Sequence, residues 1–336
     1  MGRDRKPLGV AVIGCGLIGQ KRAKALGTGG VLIACADKQF SHAENLAKSF
    51  GAKAFVNWRD VLLLSNVDLV IIATLHDSLA GITLAAIEAG KHVLVEKPAA
   101  RTSAELEPAI AAAAKRAVKV HVGFSHRYHR ALRKAKEIVE AGEVGELMFI
   151  RARYGHGGRL GYDREWRSDP ILSGGGELID QGPHLIDLSR WFLGDFSEIQ
   201  GFAHTYFWDM PVDDNGFMIL KTPEKMAAFL HVSCTEWKNI FSMEIYGKVG
   251  KLEISGLGGS YGVERLTHYR MLPEMGPPET LSWEYPMADN SWAVEIQEFY
   301  DDIHLDRPTS AGLGDAYEAL KIIEKIYEES GYDHRT

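Results

Sequence analysis

The stretch VAVIGCGLIG, residues 10–19, decides the fold of the N-terminal part of the chain. Its four leading apolar residues are typical of a strand buried on both faces of a parallel sheet. The pattern G-x-G-x-x-G that follows predicts a tight turn into a helix. Glycines there allow close approach of a pyrophosphate, and the helix N-terminus offers unpaired N–H groups. The alternative is a purely structural glycine turn.

An acidic residue, Asp37, ends the next apolar run at the spacing expected for a dinucleotide site. Its carboxylate would bind the adenosine ribose hydroxyls and repel a 2′-phosphate, which favours NAD over NADP. Lys38 is adjacent and could instead attract that phosphate, and Asp37 can also be an ordinary acid at a strand end. The cofactor-binding residues predicted from this region are Gly14, Gly16, Leu17, Ile18, Gly19, Asp37 and Lys38.

Further apolar runs at residues 31–35, 67–73, 92–95 and 118–122 alternate with helix-like segments. Thr102 with Glu105 forms a possible capping box, and Ser41 can cap a helix that reaches Phe50. Strand–helix alternation on this scale indicates right-handed βαβ units. Residues 1–125 are therefore predicted to form an α/β domain, a doubly wound parallel sheet of the Rossmann type.

The pattern changes after residue 125. One helix over residues 129–141 precedes several β-rich runs joined by turn sequences, and two helices, 292–304 and 313–329, close the chain. Residues 126–336 are predicted to form an α+β domain with a large, mostly antiparallel open sheet.

Composition restricts the function. The net charge of −7 gives no reason to expect a nucleic-acid partner. A signal peptide is not expected, because no apolar segment precedes the first strand, and no run of about 18 apolar residues predicts a membrane-spanning helix. The cysteines, Cys15, Cys35 and Cys234, lack metal-ligand spacing, so a metal is not expected. The cytoplasm is the expected location.

Two later segments carry candidate chemistry. Glu96-Lys97-Pro98 ends the fifth apolar run, and Asp180 and His184 lie four residues apart in the segment 174–187. Pro183 suits the first turn of a helix, and a helix from about Ile179 would place both side chains on one face.

Histidine is suited to take the hydroxyl proton when an alcohol loses hydride, since its unperturbed pKa is about 6.5. Asp180 could orient His184, and the ammonium of Lys97 could stabilise negative charge on the same oxygen. Taken singly, each residue has another interpretation: Lys97 can be a solvated charge, His184 a core histidine and Asp180 a helix cap.

Together these motifs, in this order and spacing, resemble the Gfo/Idh/MocA family over nearly the whole chain. The resemblance implies a Rossmann domain and a C-terminal domain whose open sheet serves oligomerisation and substrate binding. It implies that Lys97, Asp180 and His184 are catalytic, with His184 as the proton acceptor. We expect Glu96 and Lys97, together with Ala73, Thr74 and His76 after the fourth strand, to face the cofactor, although His76 can also be a surface-loop residue. The sequence departs from the family at Thr74-Leu75-His76 and at Arg22, where a histidine is common.

The segment 151–167 mixes arginine, aromatic and glycine residues, which suits recognition of hydroxyls and an anionic group. Its candidates for substrate binding are Tyr154, His156, Arg159 and Trp166, joined by Arg127 and His126 and by the catalytic residues Lys97, Asp180 and His184. The alternative is a surface loop whose arginines pair with Asp163, Glu165 and Asp169.

The expected function is that of an NAD-dependent dehydrogenase, with NADP less favoured. It would move hydride between nicotinamide and a secondary alcohol of a sugar, cyclitol or nucleotide sugar. A non-catalytic NAD(P)-binding sensor and a reductase of apolar rings are the alternatives. A homodimer or homotetramer formed through the C-terminal sheet is expected.

Overall fold

The structure is a computed structural model, and it describes residues 6–274 and 276–332. The chain divides into two compact units. The first contains residues up to Phe124 together with Trp292–Glu318, and the second contains Ser125–Ser291 together with the residues from Ala319 onwards. The sequence placed 292–318 in the second domain, so the structure differs there.

The first unit contains a six-stranded sheet in which every pair of neighbouring strands is parallel. The strands are β1 (Leu8–Ile13), β2 (Gly30–Ala36), β3 (Lys53–Phe55), β4 (Leu69–Ile72), β5 (His92–Val95) and β6 (Val120–Val122). The helices between them are α1 (Leu17–Lys24), α2 (Phe40–Phe50), α3 (Trp58–Leu62), α4 (His76–Glu88) and α5 (Ser103–Ala113). The order β3-β2-β1-β4-β5-β6 confirms the predicted doubly wound Rossmann sheet.

Helix starts in this unit show which local predictions held. The hydroxyl of Thr102 accepts a hydrogen bond from Glu105 N at 3.3 Å, which confirms the Thr102 half of the predicted capping box. The Glu105 carboxylate accepts from Arg101 N at 2.9 Å, one residue before the expected donor. The predicted cap at Ser41 is wrong, because α2 begins one residue earlier, at Phe40. The turn before it is fixed by Asp37, whose Oδ1 accepts from Gln39 N at 2.9 Å.

The second unit contains an eight-stranded sheet. Its strands are β7 (Leu147–Gly155), β8 (Glu198–His204), β9 (Asn215–Lys221), β10 (Ala227–Ser233), β11 (Ile240–Gly247), β12 (Gly250–Ser255), β13 (Glu264–Arg270) and β14 (Glu279–Tyr285). The order is β14-β13-β12-β11-β7-β10-β9-β8, and only β7 with β10 is parallel. The prediction of a mostly antiparallel sheet is confirmed, although β13 and β14 were not foreseen.

The remaining helices are α6 (Arg130–Glu140), α7 (Pro170–Ser173), α8 (Glu177–Leu193), α9 (Ser291–His304) and α10 (Leu313–Ser330). Short 3₁₀ turns cover Ser125–Tyr128, Tyr162–Arg164, Trp166–Ser168 and Gly259–Tyr261. Helix α8 packs on β7, β9 and β10 and is buried along most of its length. Side chains that alternate with the buried ones leave Phe202, Ile219 and Phe229 about half exposed.

Helix α9 explains why residues 292–318 group with the first sheet. Its apolar side chains Ile296, Phe299 and Tyr300 join a core cluster with β-strand residues such as Val10 and Leu32. The sequence pattern identified an amphipathic helix correctly, but it carries no information about which sheet covers the apolar face.

Candidate active site

The glycine-rich turn has the shape that a pyrophosphate requires. Gly14 adopts φ +91°, and a Cβ there would lie 2.4 Å from Ala73 O. A Cβ on Gly19 would lie 1.9 Å from Gly14 O, so the third glycine permits close packing of helix and turn. Gly16 has nothing within 4 Å of its Cβ position, and α1 starts directly after it. The turn therefore leaves open space at a helix N-terminus.

Asp37 is held beside this turn at the end of β2. Its Oδ2 accepts from Cys15 N at 2.8 Å and its Oδ1 from Gln39 N at 2.9 Å. A carboxylate has about four lone-pair sites, so acceptor capacity remains for ribose hydroxyls. Lys38, the adjacent cation, is exposed, as is Leu17 in the first turn of α1.

The ends of β4 and β5 lie at the same edge of the sheet as the glycine turn, as parallel strands require. Ala73 N donates to Ile13 O at 2.8 Å, and the hydroxyl of Thr74 lies 3.0 Å from that of Ser78. His76 is the first residue of α4 and is buried, so it is not a surface-loop residue.

Glu96-Lys97-Pro98 continues from β5 at this edge. Glu96 N donates to Ile72 O at 2.9 Å, and Ala99 N closes a turn onto Glu96 O at 3.0 Å. Ala99 is fully buried with φ +74°, a left-handed conformation that alanine adopts at a cost of about 1–3 kcal/mol. The surrounding structure thus fixes the turn that carries Lys97.

In the second unit, Asp180 and His184 lie one turn apart on α8, and both are buried. The predicted helix is present, but it begins at Glu177 rather than near Ile179. Pro183 therefore lies inside the helix and not in its first turn.

A buried carboxylate causes the earlier start of α8. Asp213 Oδ1 accepts from Gly176 N at 2.9 Å, and Asp213 Oδ2 accepts from Leu178 N at 2.7 Å. The hydroxyl of Tyr327 donates to Asp213 Oδ1 at 2.6 Å and accepts from Gly176 N and Ile179 N. Burial raises the pKa of Asp213 to about 6, although these donors oppose the shift. The helix that carries Asp180 and His184 is thereby held at its N-terminus.

Aromatic rings surround His184. The imidazole of His126 stacks on it with ring centroids 3.9 Å apart, and Tyr154 meets it edge-on at 5.9 Å. The ring of Tyr261 lies 5.5 Å from that of Tyr154. Burial raises the pKa of both tyrosine hydroxyls, so both are protonated donors at neutral pH. Sequence reasoning missed Tyr261, which lies among four glycines with positive φ, Gly256, Gly258, Gly259 and Gly262.

Asp180 has a cationic partner that sequence reasoning did not select. Arg167 Nε donates to Asp180 Oδ2 at 2.9 Å, and its guanidinium lies 4.6 Å from the centre of the Trp166 ring. The predicted substrate residue Trp166 therefore contacts the arginine that binds Asp180.

Sequence reasoning also missed the buried carboxylate of Glu177, three residues before Asp180 in the segment 174–187. Its Oε2 is 3.3 Å from the hydroxyl of Tyr162, and its Oε1 is 3.5 Å from His156 Nε2. Burial alone would lower the pKa of His156, but the Glu177 carboxylate raises it above its usual value. The predicted substrate residue His156 is therefore polarised by a buried acid.

Two predicted arginines are engaged by carboxylates. Arg159 is 67% exposed and forms ion pairs with Glu165, as the surface-loop alternative expected. Arg127 is buried, and its Nε and Nη2 donate to the two oxygens of Asp187 at 2.8 and 2.5 Å. Of the remaining expected carboxylates, Asp163 lies 3.9 Å from the Arg164 guanidinium, and Asp169 caps α7.

Across residues 6–274 and 276–332, no three His, Cys, Asp or Glu side chains are grouped so that they could hold a metal ion. In the same residues, no helix combines the length and apolar character needed to cross a membrane. All three cysteines are buried and free.

Family models match both parts of the chain. Residues 8–124 match the oxidoreductase family with an NAD-binding Rossmann fold, and residues 132–253 match the GFO/IDH/MocA C-terminal domain.

Individual relatives are more distant. Levoglucosan dehydrogenase of Pseudarthrobacter phenanthrenivorans is 31% identical over 183 residues, which is 54% of this chain and 47% of that protein. Inositol 2-dehydrogenase 3 of Saccharopolyspora erythraea is 32% identical over 190 residues, which is 55% of this chain and 54% of that protein. The aligned part of the chain thus spans about half the length of these relatives. Inositol 2-dehydrogenase of Salmonella typhimurium is 22% identical over 311 residues, 90% of this chain and 87% of that protein.

Among solved structures, a levoglucosan dehydrogenase in complex with NADH and levoglucosan superposes with a TM-score of 0.87. It is 23% identical, and the match covers 97% of this chain and 98% of that chain. At this level of identity, the likeness establishes the fold.

Proposed function

Because the chain belongs to the Gfo/Idh/MocA family of oxidoreductases, with an NAD-binding Rossmann domain, we propose that it is an NAD-dependent dehydrogenase. It would move hydride between nicotinamide and a secondary alcohol or ketone of a sugar or cyclitol. One observation carries the proposal: α8 holds Asp180 and His184 on one buried face, with Arg167 bound to Asp180.

The glycine turn supports the cofactor. The open space over Gly16 and the close approach at Gly14 and Gly19 form a cradle that side chains would fill. Bound NAD supplies the hydride acceptor. Asp37 is fixed with acceptor capacity to spare, which favours the free 2′-hydroxyl of NAD over the phosphate of NADP.

The chain's own residues handle the proton and the charge. His184 accepts the hydroxyl proton as the carbonyl forms, and the stacked ring of His126 fixes the plane of its imidazole. Asp180, which forms an ion pair with Arg167, is assigned the role of orienting His184. Lys97 is assigned the stabilisation of negative charge on the reacting oxygen. A positioned base contributes about 10²–10⁴ in rate, so loss of His184 should reduce turnover by that factor.

The surroundings of His184 favour an uncharged polyol ring. Tyr154 and Tyr261 offer protonated hydroxyl donors, and His156 is polarised by Glu177. Arg159 and Arg127, the groups suited to an anionic substituent, are already paired with Glu165 and Asp187. A sugar or cyclitol is therefore favoured over a nucleotide sugar or sugar acid. The names of the relatives, levoglucosan and inositol dehydrogenases, agree with this class.

The test combines binding and turnover. NADH and NADPH are titrated by tryptophan fluorescence, and reduced-cofactor absorbance is followed over a panel of inositols, aldoses, anhydrosugars, sugar acids and nucleotide sugars. We expect NADH to bind more tightly than NADPH, and we expect turnover of one uncharged ring substrate. That turnover should fall about 10²–10⁴-fold in His184→Ala and be retained in His231→Ala, a half-buried histidine on β10. Binding of NADH without turnover of any panel member would contradict the proposal and favour a non-catalytic NAD(P)-binding sensor.

We further propose a homodimer or homotetramer in the cytoplasm. The half-exposed Phe202, Ile219 and Phe229 lie on the sheet of the second unit and support self-association. Phe229→Lys should lower the mass measured by light scattering if this face is the interface. Three free, buried cysteines suit a reducing compartment.

A further inference from the structure

Arg22 is a buried cation at the position where the family commonly has histidine. It lies on α1, one turn after Gly19, and only 1% of its side chain is exposed. A charge removed from water in this way requires partners that neutralise it. Its Nε donates to Glu96 Oε1 at 2.6 Å, and its Nη1 donates to Glu295 on α9. The ring of Trp292 lies 4.3 Å from the guanidinium carbon.

The network extends beyond Arg22. Glu295 is fully buried, and its Oε1 lies 3.2 Å from His121 Nε2 on β6. Burial alone would raise the pKa of Glu295, but Arg22 and His121 hold it below its usual value. Gly123 leaves room for the guanidinium, since a Cβ there would lie 2.6 Å from Arg22 Nη2 and 3.1 Å from Glu96 Oε2. One cation therefore links α1, β5, β6 and α9 of the first unit.

Glu96 is the residue directly before Lys97, and its backbone closes the turn that ends at the strained Ala99. We infer that Arg22 is a positioning residue: it binds the Glu96 carboxylate while its other end is held by Glu295 on α9, and it thereby fixes the turn that presents Lys97. The inference deepens the proposed function, since it assigns Arg22 a role in the same reaction without contact to the reacting atoms.

The guanidinium geometry matters for this role. Arginine can bind two carboxylates at once through different nitrogens of a planar fork, whereas a lysine ammonium is a point charge on a flexible stem. Arg22→Lys retains the charge, which protects folding, but it cannot reproduce both contacts at their present angles. A misplacement of about 1 Å in a catalytic group can lower turnover about 100-fold.

The experiment compares Arg22→Lys with wild type and with Arg307→Met. Arg307 is the matched control, because it forms an ion pair with Asp302 at 2.9 Å in the same unit but is half exposed. Three quantities are measured: kcat, the Kd for NADH, and the rate at which acetic anhydride acylates Lys97 in the absence of cofactor and substrate. Lys53 on β3 is the internal reference for acylation, and mass spectrometry quantifies both sites.

We expect Arg22→Lys to bind NADH within about threefold of wild type but to lose between tenfold and 100-fold in kcat. Acylation of Lys97 should rise at least about threefold relative to Lys53, because a loosened turn opens more often. Arg307→Met should match wild type in all three. Lower thermal stability with unchanged kcat and unchanged Lys97 acylation would show that Arg22 is only structural and would overturn the inference.

A second variant covers the case in which Arg22→Lys does not fold. Gly123→Ala places a methyl group against Arg22 Nη2 and Glu96 without removing any charge. It should show the same pattern of kcat and Lys97 acylation, and a wild-type pattern in Gly123→Ala would overturn the inference. If wild type turned over no substrate, the proposed function would fail, while Lys97 acylation would still decide the role of Arg22.

Discussion

Tyr327→Phe tests whether a single hydroxyl holds the start of α8. The hydroxyl donates to Asp213 Oδ1 at 2.6 Å and accepts from Gly176 N at 3.1 Å and Ile179 N at 3.3 Å. The substitution keeps the ring and the packing of Tyr327, which is 1% exposed. What it removes is therefore the hydrogen bonding alone.

The loss can be summed from its parts. A hydrogen bond to a charged group contributes about 1.5–3 kcal/mol, and a buried N–H left without an acceptor costs about 1–3 kcal/mol. Gly176 N keeps its bond to Asp213, so only Ile179 N loses this acceptor. The expected total is about 2.5–6 kcal/mol, which corresponds to a fall in melting temperature of at least roughly 5 °C. Turnover should fall as well, because Asp180 and His184 follow on the same helix.

Tyr332→Phe is the matched control in the same C-terminal segment. Its hydroxyl has one neutral partner, Thr205 Oγ1 at 2.9 Å, so its removal should cost about 1 kcal/mol. Thermal melts and urea unfolding of both variants provide the comparison. Equal losses in the two variants would refute the reasoning, since Tyr327 would then contribute no more than an ordinary hydroxyl.

The same variant has a pH signature. The pKa of Asp213 is raised in the folded chain to about 6, so the folded state favours its protonated form. Its contribution to stability is thus fully present below the unfolded pKa of about 3.9 and is lost as the pH rises through about 6. Tyr327 lowers this pKa by donating to the carboxylate. Tyr327→Phe should extend the loss of stability to higher pH.

Three further predictions concern the other parts of the site. Asp37→Ser should weaken NADH binding at least about tenfold and NADPH binding much less, as fluorescence titration would show; equal losses would argue against a ribose contact. Gly19→Ala places a carbon 1.9 Å from Gly14 O, so NADH binding and thermal stability should both fall sharply. The pKa of His156 is raised by Glu177, so its contribution to the unfolding free energy is present below about 6.5 and lost as the pH rises through the folded value. His156→Gln should flatten that dependence between pH 5.5 and 8.5 in urea unfolding, and an unchanged slope would exclude the Glu177 pair as its source.

The parts of this molecule that could be read from the sequence depend on local patterns. The glycine turn, Asp37 and the Asp180–His184 spacing each require only a strand, a helix or a turn to bring the residues together. Buried parallel strands also read as continuous apolar runs, which made the first sheet predictable.

Contacts between distant segments could not be read in this way. Arg22 meets Glu295 across 273 residues, and nothing local to either predicts the pair. Arg167 and Tyr261 lie in polar or glycine-rich segments that resemble ordinary surface loops. The strands β13 and β14 carry largely exposed or polar side chains, so their period of two does not stand out.

The return of Trp292–Glu318 to the first sheet has a consequence for synthesis on the ribosome. The N-terminal strands emerge first, yet Phe299 and Tyr300 complete their core, and Tyr300 fills the space beside Gly29 and Gly30. Synthesis proceeds at about 5–20 residues per second, so the apolar surface of those strands stays uncovered for several seconds or more before α9 emerges. An excised fragment ending at residue 125 would keep that surface permanently, so a cofactor domain cut at the obvious boundary should aggregate unless helix α9 is grafted back onto it.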